Sequence, residues 1–142
     1  MPNLARSPTI VISGSFRKHF DEIMVLIQMF ESIGITVLSP KKSKVIDSRT
    51  EFVLLDTDDV DNPKILQQRH LDAIRQADAL YICNPHGYTG ASTILEMGWA
   101  LALGKPIYAQ EEIQDFTLKL FGTTIAKPDN VKHELARVSD RV

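Results

Sequence analysis

Apolar residues fall along this chain in two alternating rhythms, short β-branched runs and longer stretches at helical spacing. Thr9–Ser13 (TIVIS) is a run of the kind found where a strand is buried on both faces of a parallel sheet. From 18 to 33, Phe20, Ile23, Met24, Ile27 and Phe30 recur at helical spacing, and Gly34 follows as a stop. Residues 35–38 (ITVL) predict a second strand and 63–77 a second helix, with Ile65, Leu66, Ala73, Ile74 and Ala77 along it. A third strand is expected at 78–83 (DALYIC), an apolar helix at 91–103 and a fourth strand at 106–109. Beyond these lie a short helix at 115–120, a turn at Phe121-Gly122 and a polar helix around 131–138.

Residues 39–61 are less regular. Segments 45–46 and 51–55 (EFVLL) suggest a hairpin or irregular extended pieces, followed by an acidic stretch at 56–63. That stretch fails as a calcium loop, because Asp61 replaces the required glycine and Gln67 the closing glutamate. It reads as a solvated loop in which Asp61 or Asn62 caps the next helix, with Pro63 in its first turn. Strand–loop–helix units with right-handed crossovers define the expected architecture. It is a single α/β domain over 1–142, a doubly wound, mostly parallel sheet in a Rossmann-like or flavodoxin-like three-layer sandwich.

Composition narrows the partners. A net charge of −2 without a basic patch argues against nucleic acid. No apolar run is long enough for a membrane span and no signal-peptide core appears, so a cytoplasmic protein is expected. The lone cysteine, Cys83, excludes an internal disulfide and reads as packing in a core strand.

The chemistry concentrates in residues 84–106 (NPHGYTGASTILEMGWALALGKP), a turn-rich loop leading into the apolar helix. Glu96 is the helix's single ionisable residue, and no Lys or Arg lies between 91 and 103 to pair with it. A carboxylate among Ile94, Leu95, Met97, Trp99 and Leu101 is costly unless satisfied, which marks a functional candidate. The plainer alternative is a surface carboxylate favoured by the helix dipole.

Ligands of open α/β sheets bind at the carboxyl ends of the strands. After the first strand, Ser13, Gly14, Ser15, Phe16 and Arg17 supply hydroxyls, backbone N–H groups and a guanidinium, the parts of an anion cradle. The plainer alternative has Gly14 only making the turn. After the third, Asn84, His86, Gly87, Tyr88, Gly90 and Ser92 surround the start of the Glu96 helix. There Ser92 or Thr93 is alternatively only an N-cap, and Tyr88 a loop aromatic. A carboxylate facing a sugar beside anion-binding amides suggests attack at an anomeric carbon. That chemistry needs no metal and no cofactor.

The order strand-Gly14-Ser15-Phe16-Arg17, helix, Ala77-Asp78 with its apolar strand, and Glu96-Met-Gly98-Trp-Ala100-Leu-Ala102-Leu-Gly104-Lys105-Pro106 resembles the nucleoside 2-deoxyribosyltransferases. It also resembles the related deoxynucleoside 5′-monophosphate N-glycosidases. The resemblance spans residues 9–109. It implies that Glu96 is a nucleophile forming a glycosyl-enzyme intermediate, that the partner is a small-molecule nucleoside or nucleotide, and that the protein is a homodimer or higher homo-oligomer whose neighbouring subunit helps close the site. The chain departs from that pattern on the helix before the third strand, where those enzymes carry an acidic residue. Here the register falls on His70, with Asp72 two residues on and on another side of the helix. Either His70 takes over the acid–base work, to which imidazole is suited, or Asp72 reaches in, or activity is lost. His86 is the next proton donor, and Asp78, at the opposite end of its strand, reads as structural.

Three functions follow as alternatives. The first is N-glycosidic cleavage or deoxyribosyl transfer through Glu96, with Arg17 favouring a 5′-phosphorylated substrate. The others are a catalytically silent nucleotide-binding or sensing module, and a phosphoribohydrolase of the cytokinin-activating type, whose glycine-rich loop is only echoed here.

Overall fold

The computed structural model describes residues 6–41, 45–47, 54–55 and 62–139. Five strands form one sheet in the order β2-β1-β5-β6-β7: Thr9–Ser13 (β1), Thr36–Ser39 (β2), Ala79–Ile82 (β5), Ile107–Ala109 (β6) and Thr124–Ile125 (β7). Every pairing in it is parallel. The helices are Phe16–Ser32 (α1), Pro63–Gln76 (α2), Ala91–Ala102 (α3), Phe116–Lys119 (α4) and Pro128–Ser139 (α5). Of the two options for the irregular region, the hairpin is realised, with Val45–Asp47 (β3) antiparallel to Leu54–Leu55 (β4). The acidic stretch at 56–61 lies outside the described residues.

Alternation along the strands explains the two layers of helix. Ile10, Ile12 and Tyr81 pack with Ile23, Ile27 and Phe30 of α1 and with Val131 and Leu135 of α5. Val11, Leu80 and Ile82 face the other way, onto Ile74 of α2 and Met97 and Ala100 of α3. The fold is therefore the expected doubly wound α/β sandwich. Each large aliphatic side chain so buried contributes about 1.5–3 kcal/mol. Phe30 meets Tyr81 edge-on at 4.9 Å between centroids, and the Tyr81 hydroxyl donates to the Ala126 carbonyl at 2.8 Å. Burial, with smaller contributions from Glu22 and Glu111, pushes the Cys83 thiol up to about 12, which fits a packing residue.

Local chemistry sets the element ends. Ser15 caps α1 by accepting from the Lys18 amide, Gly34 takes φ +88° just past its end, and Asn62 caps α2 ahead of Pro63. The plainer alternative of a Ser92 or Thr93 cap on α3 is not realised: Gly90 is the N-cap and no side chain makes a capping hydrogen bond, Thr93 being buried and Ser92 exposed. Strand β7 has no counterpart in the sequence pattern, being two exposed residues long. Asp78 accepts from Arg6, the Thr9 amide and the Thr9 hydroxyl, tying β5 to the start of β1. No described helix is long and apolar enough to cross a membrane.

The chain runs outward from β1 to β2 and then crosses back to β5. That reversal of direction puts the sheet's switch point, where ligands of open α/β sheets bind, at the carboxyl ends of β1 and β5.

Candidate active site

Glu96 sits in the second turn of α3, against the end of β1 at that switch point, with 5% of its surface exposed. Three side chains from two other elements satisfy it. The Ser13 hydroxyl, at the end of β1, donates to Oε1 at 2.5 Å. His70 on α2 places Nε2 at 3.2 Å from the same oxygen. Gln67, one turn earlier on α2, donates its amide to Oε2 at 2.9 Å. Behind the imidazole, Ser39 at the end of β2 holds His70 Nδ1 at 2.6 Å. The result is a continuous line, Ser39–His70–Glu96–Ser13, joining the ends of two strands through two helices.

Burial by itself would raise the Glu96 carboxyl. The charge of His70 and the hydrogen bonds from His70, Ser13 and Gln67 outweigh it, so the group is held below the usual carboxylate range and stays ionised. The α2–α3 contact is fixed one turn away, where Trp99 Nε1 donates to the Leu71 carbonyl at 2.9 Å and Arg75 lies over the indole at 5.1 Å. At Gly14 a Cβ would stand 3.0 Å from the Cys83 carbonyl oxygen, so glycine lets the first loop close against β5 beside this group.

The other sequence candidates divide. Ser13 and His70 join Glu96. Asp72 does not: it is exposed and accepts from Gln68 at 3.1 Å, one side of α2 away from His70. The Ser15 hydroxyl is engaged as the α1 cap, Phe16 packs half-buried against the core, and Arg17 is exposed. Tyr88 lies under Lys18 Nζ, 3.7 Å from the ring centroid, and meets the His19 ring edge-on, with Gly90 beneath its hydroxyl end. This places a cation and an aromatic face between the two loops.

Asn84, His86 and Gly87 serve a different end, locking their loop onto residues 110–114. Asn84 exchanges two hydrogen bonds with the Glu111 backbone, at 2.8 and 3.0 Å. His86 is exposed, adopts φ +60°, and donates its amide to the Glu111 carboxylate at 3.0 Å. Gly87 has φ +79°, and a Cβ there would meet Gln114 Cγ at 2.5 Å and the Glu112 carbonyl at 2.6 Å. The structure brings neither the Asn84 nor the His86 side chain into contact with Glu96. No cluster of three metal-ligating side chains occurs among the described residues.

Two members of the site, Gln67 and Ser39, were not among the sequence's site candidates. Gln67 precedes His70 by three residues and so shares its face of α2. Ser39 ends β2, and the preference of ligands for strand carboxyl ends pointed at it.

No family profile matches the chain. No curated protein matches it in sequence. Its fold is that of several solved structures. The CMP N-glycosidase BcmB of Clostridium botulinum superposes with a TM-score of 0.55 at 18% identity, over 92% of this chain and 98% of that one. A conserved protein from Enterococcus faecalis V583 gives 0.60 at 14% identity, with the same two coverages of 92% and 98%. A 2-deoxyribosyltransferase from the psychrotolerant bacterium Bacillus psychrosaccharolyticus gives 0.53 at 18%, over 87% and 90%.

Proposed function

We propose that this protein cleaves or transfers the N-glycosidic bond of a nucleoside or nucleoside 5′-monophosphate, with Glu96 as the nucleophile. The observation that carries this reading is the buried, ionised Glu96 carboxylate with donors from β1 and α2 at the sheet's switch point. The reactions named for the N-glycosidase and the deoxyribosyltransferase of like fold agree with it.

Oε1 holds two donors and Oε2 a single neutral amide, so Oε2 is the oxygen more readily freed for attack on C1′. As that bond forms, the C1′–N bond breaks and its electron pair leaves with the base. Protonated His70 gives the base its Nε2 proton. A water, or a second base in the transfer reaction, then attacks C1′ and releases the Glu96 carboxylate, and the proton it loses returns to His70. The exposed Arg17 and Lys18 near the N-terminus of α1 favour a substrate bearing a 5′-phosphate.

The reading includes self-association. Ile94, Leu95 and Leu101 of α3 are 40%, 54% and 45% exposed, and Glu96, the helix's one charged residue, is buried. A second copy laid on this face meets no exposed charge from α3 itself.

Free base followed by chromatography, over a panel of deoxynucleosides, nucleosides and their 5′-monophosphates with and without acceptor bases, tests the function. We expect release from a 5′-monophosphate, lowered more than about a thousandfold in Glu96→Gln. One observation favours a binding-only protein, namely that both Glu96 oxygens are already satisfied from within. Under that alternative the panel yields no base, while a nucleotide still raises the melting temperature.

A further inference from the structure

Ser39 lies outside the reacting group, yet its hydroxyl makes the 2.6 Å contact with His70 Nδ1. The imidazole is 13% exposed at its side chain and is held at both nitrogens, by Ser39 on one side and Glu96 on the other. We propose that Ser39 is a positioning residue: its hydroxyl fixes the His70 ring with Nε2 aimed at Glu96 through every protonation state the ring visits.

The argument rests on what a hydroxyl can do that other partners cannot. An imidazole that carries a proton through Nε2 passes through two forms. In the imidazolium, Nδ1–H must find an acceptor. After Nε2 releases its proton, the ring is neutral with hydrogen still on Nδ1, and the same acceptor is needed. In a resting neutral ring with hydrogen on Nε2, Nδ1 instead needs a donor. A serine hydroxyl accepts in the first two cases and, by rotating, donates in the third. A carboxylate would serve only the first two, and an alkyl side chain none. The proton that moves is therefore the Nε2 proton, next to Glu96, and the ring does not swing as it moves. Ser39 is also well placed for a fixed contact. It closes β2 with its Cα register set against Val11 of β1, so the hydroxyl is carried by the sheet rather than by a loop tip.

The consequence for the ring stands on geometry. The consequence for turnover rests on the function proposed above, and the test separates the two. Imidazole ¹⁵N shifts of His70, recorded across pH in the whole protein, read the ring directly. In the wild type we expect the neutral ring to keep hydrogen on Nε2, facing the Glu96 carboxylate, with an Nδ1 shift typical of a nitrogen accepting from a hydroxyl. In Ser39→Ala we expect the Nδ1 shift to move to that of a nitrogen without a hydrogen-bond partner, and in Ser39→Thr, which keeps the hydroxyl, a return to the wild-type pattern. Kinetically, Ser39→Ala should lower kcat by about ten- to a hundredfold, the scale of one hydrogen bond to a charged group, with KM little changed. Ser39→Thr should recover most of it. In a His70→Gln background, Ser39→Ala should cost nothing further. Identical ring shifts in wild type and Ser39→Ala would overturn the proposal, as would an equal loss of kcat when His70 is already gone. A wild type that releases no base, combined with the expected ¹⁵N result, removes the function and leaves the positioning role standing.

Discussion

Glu96 keeps a negative charge where water barely reaches it, and three donors make that tolerable. Each is worth something measurable. Ser13→Ala removes the shortest of them and leaves a buried carboxylate short of a partner, at a cost of about 1.5–3 kcal/mol in urea denaturation at neutral pH. The pH dependence has a defined sign. Unfolded, the carboxyl titrates near about 4.3. Folded, it titrates lower, so its contribution to stability is complete above the unfolded value and is lost as the pH falls through the folded one. Urea denaturation at neutral pH and near pH ~3.5 should show a steeper loss for the wild type than for Glu96→Gln. Equal losses would mean that Glu96 is not the group held low. At this scale the sequence marked Glu96 and offered Ser13 and His70 as candidates, but it did not show that they meet, and it left out Gln67 and Ser39. An isolated carboxylate on an apolar helix is visible in the pattern, whereas Ser13, Gln67 and His70 reach it from 83, 29 and 26 positions away. Helical spacing carries no information about such distances.

Between elements, the decisive contact is α2 against α3. Its register on α2 decides whether His70 or Asp72 meets Glu96, and the spacing of Gln67, His70 and Ile74 along the buried side settles it for His70. That spacing was present in the sequence, but which side of α2 faces α3 depends on the sheet between them. The loop after β5 shows the opposite lesson. Its glycine and asparagine resembled ligand-binding residues, and the fold uses them to clasp residues 110–114. Asn84→Ala should cost about 1–3 kcal/mol by thermal or urea unfolding, because it removes both hydrogen bonds that this buried side chain makes to the Glu111 backbone. Gly87→Ala should be at least as damaging, since alanine is strained at φ +79° and has no room there.

For the whole molecule, the strands β1, β2, β5 and β6 and the doubly wound α/β class were legible in the sequence, because buried parallel strands and amphipathic helices leave strong periodic marks, whereas their order in the sheet came from the structure. Strand β7 left none, being two exposed residues paired only to β6. Under the proposed self-association, the face of α3 turned away from the sheet carries the contact. A Cβ on Gly98 would meet nothing within 4 Å in the single chain. In a monomer, Gly98→Ala should therefore gain about 0.5–1 kcal/mol of helix stability. With a second copy packed on α3, the same methyl group intrudes. We expect sedimentation velocity to show the variant shifted toward monomer, and an unchanged distribution with a raised melting temperature would place the contact elsewhere.

The most direct measurement is of the bond that Glu96 is said to form. Wild-type protein quenched during turnover of its best 5′-monophosphate, digested and mapped by mass spectrometry, should carry the sugar phosphate on the peptide containing Glu96, and Glu96→Gln should carry none. Turnover retained in Glu96→Gln, or an adduct mapped to another residue, would contradict the assignment.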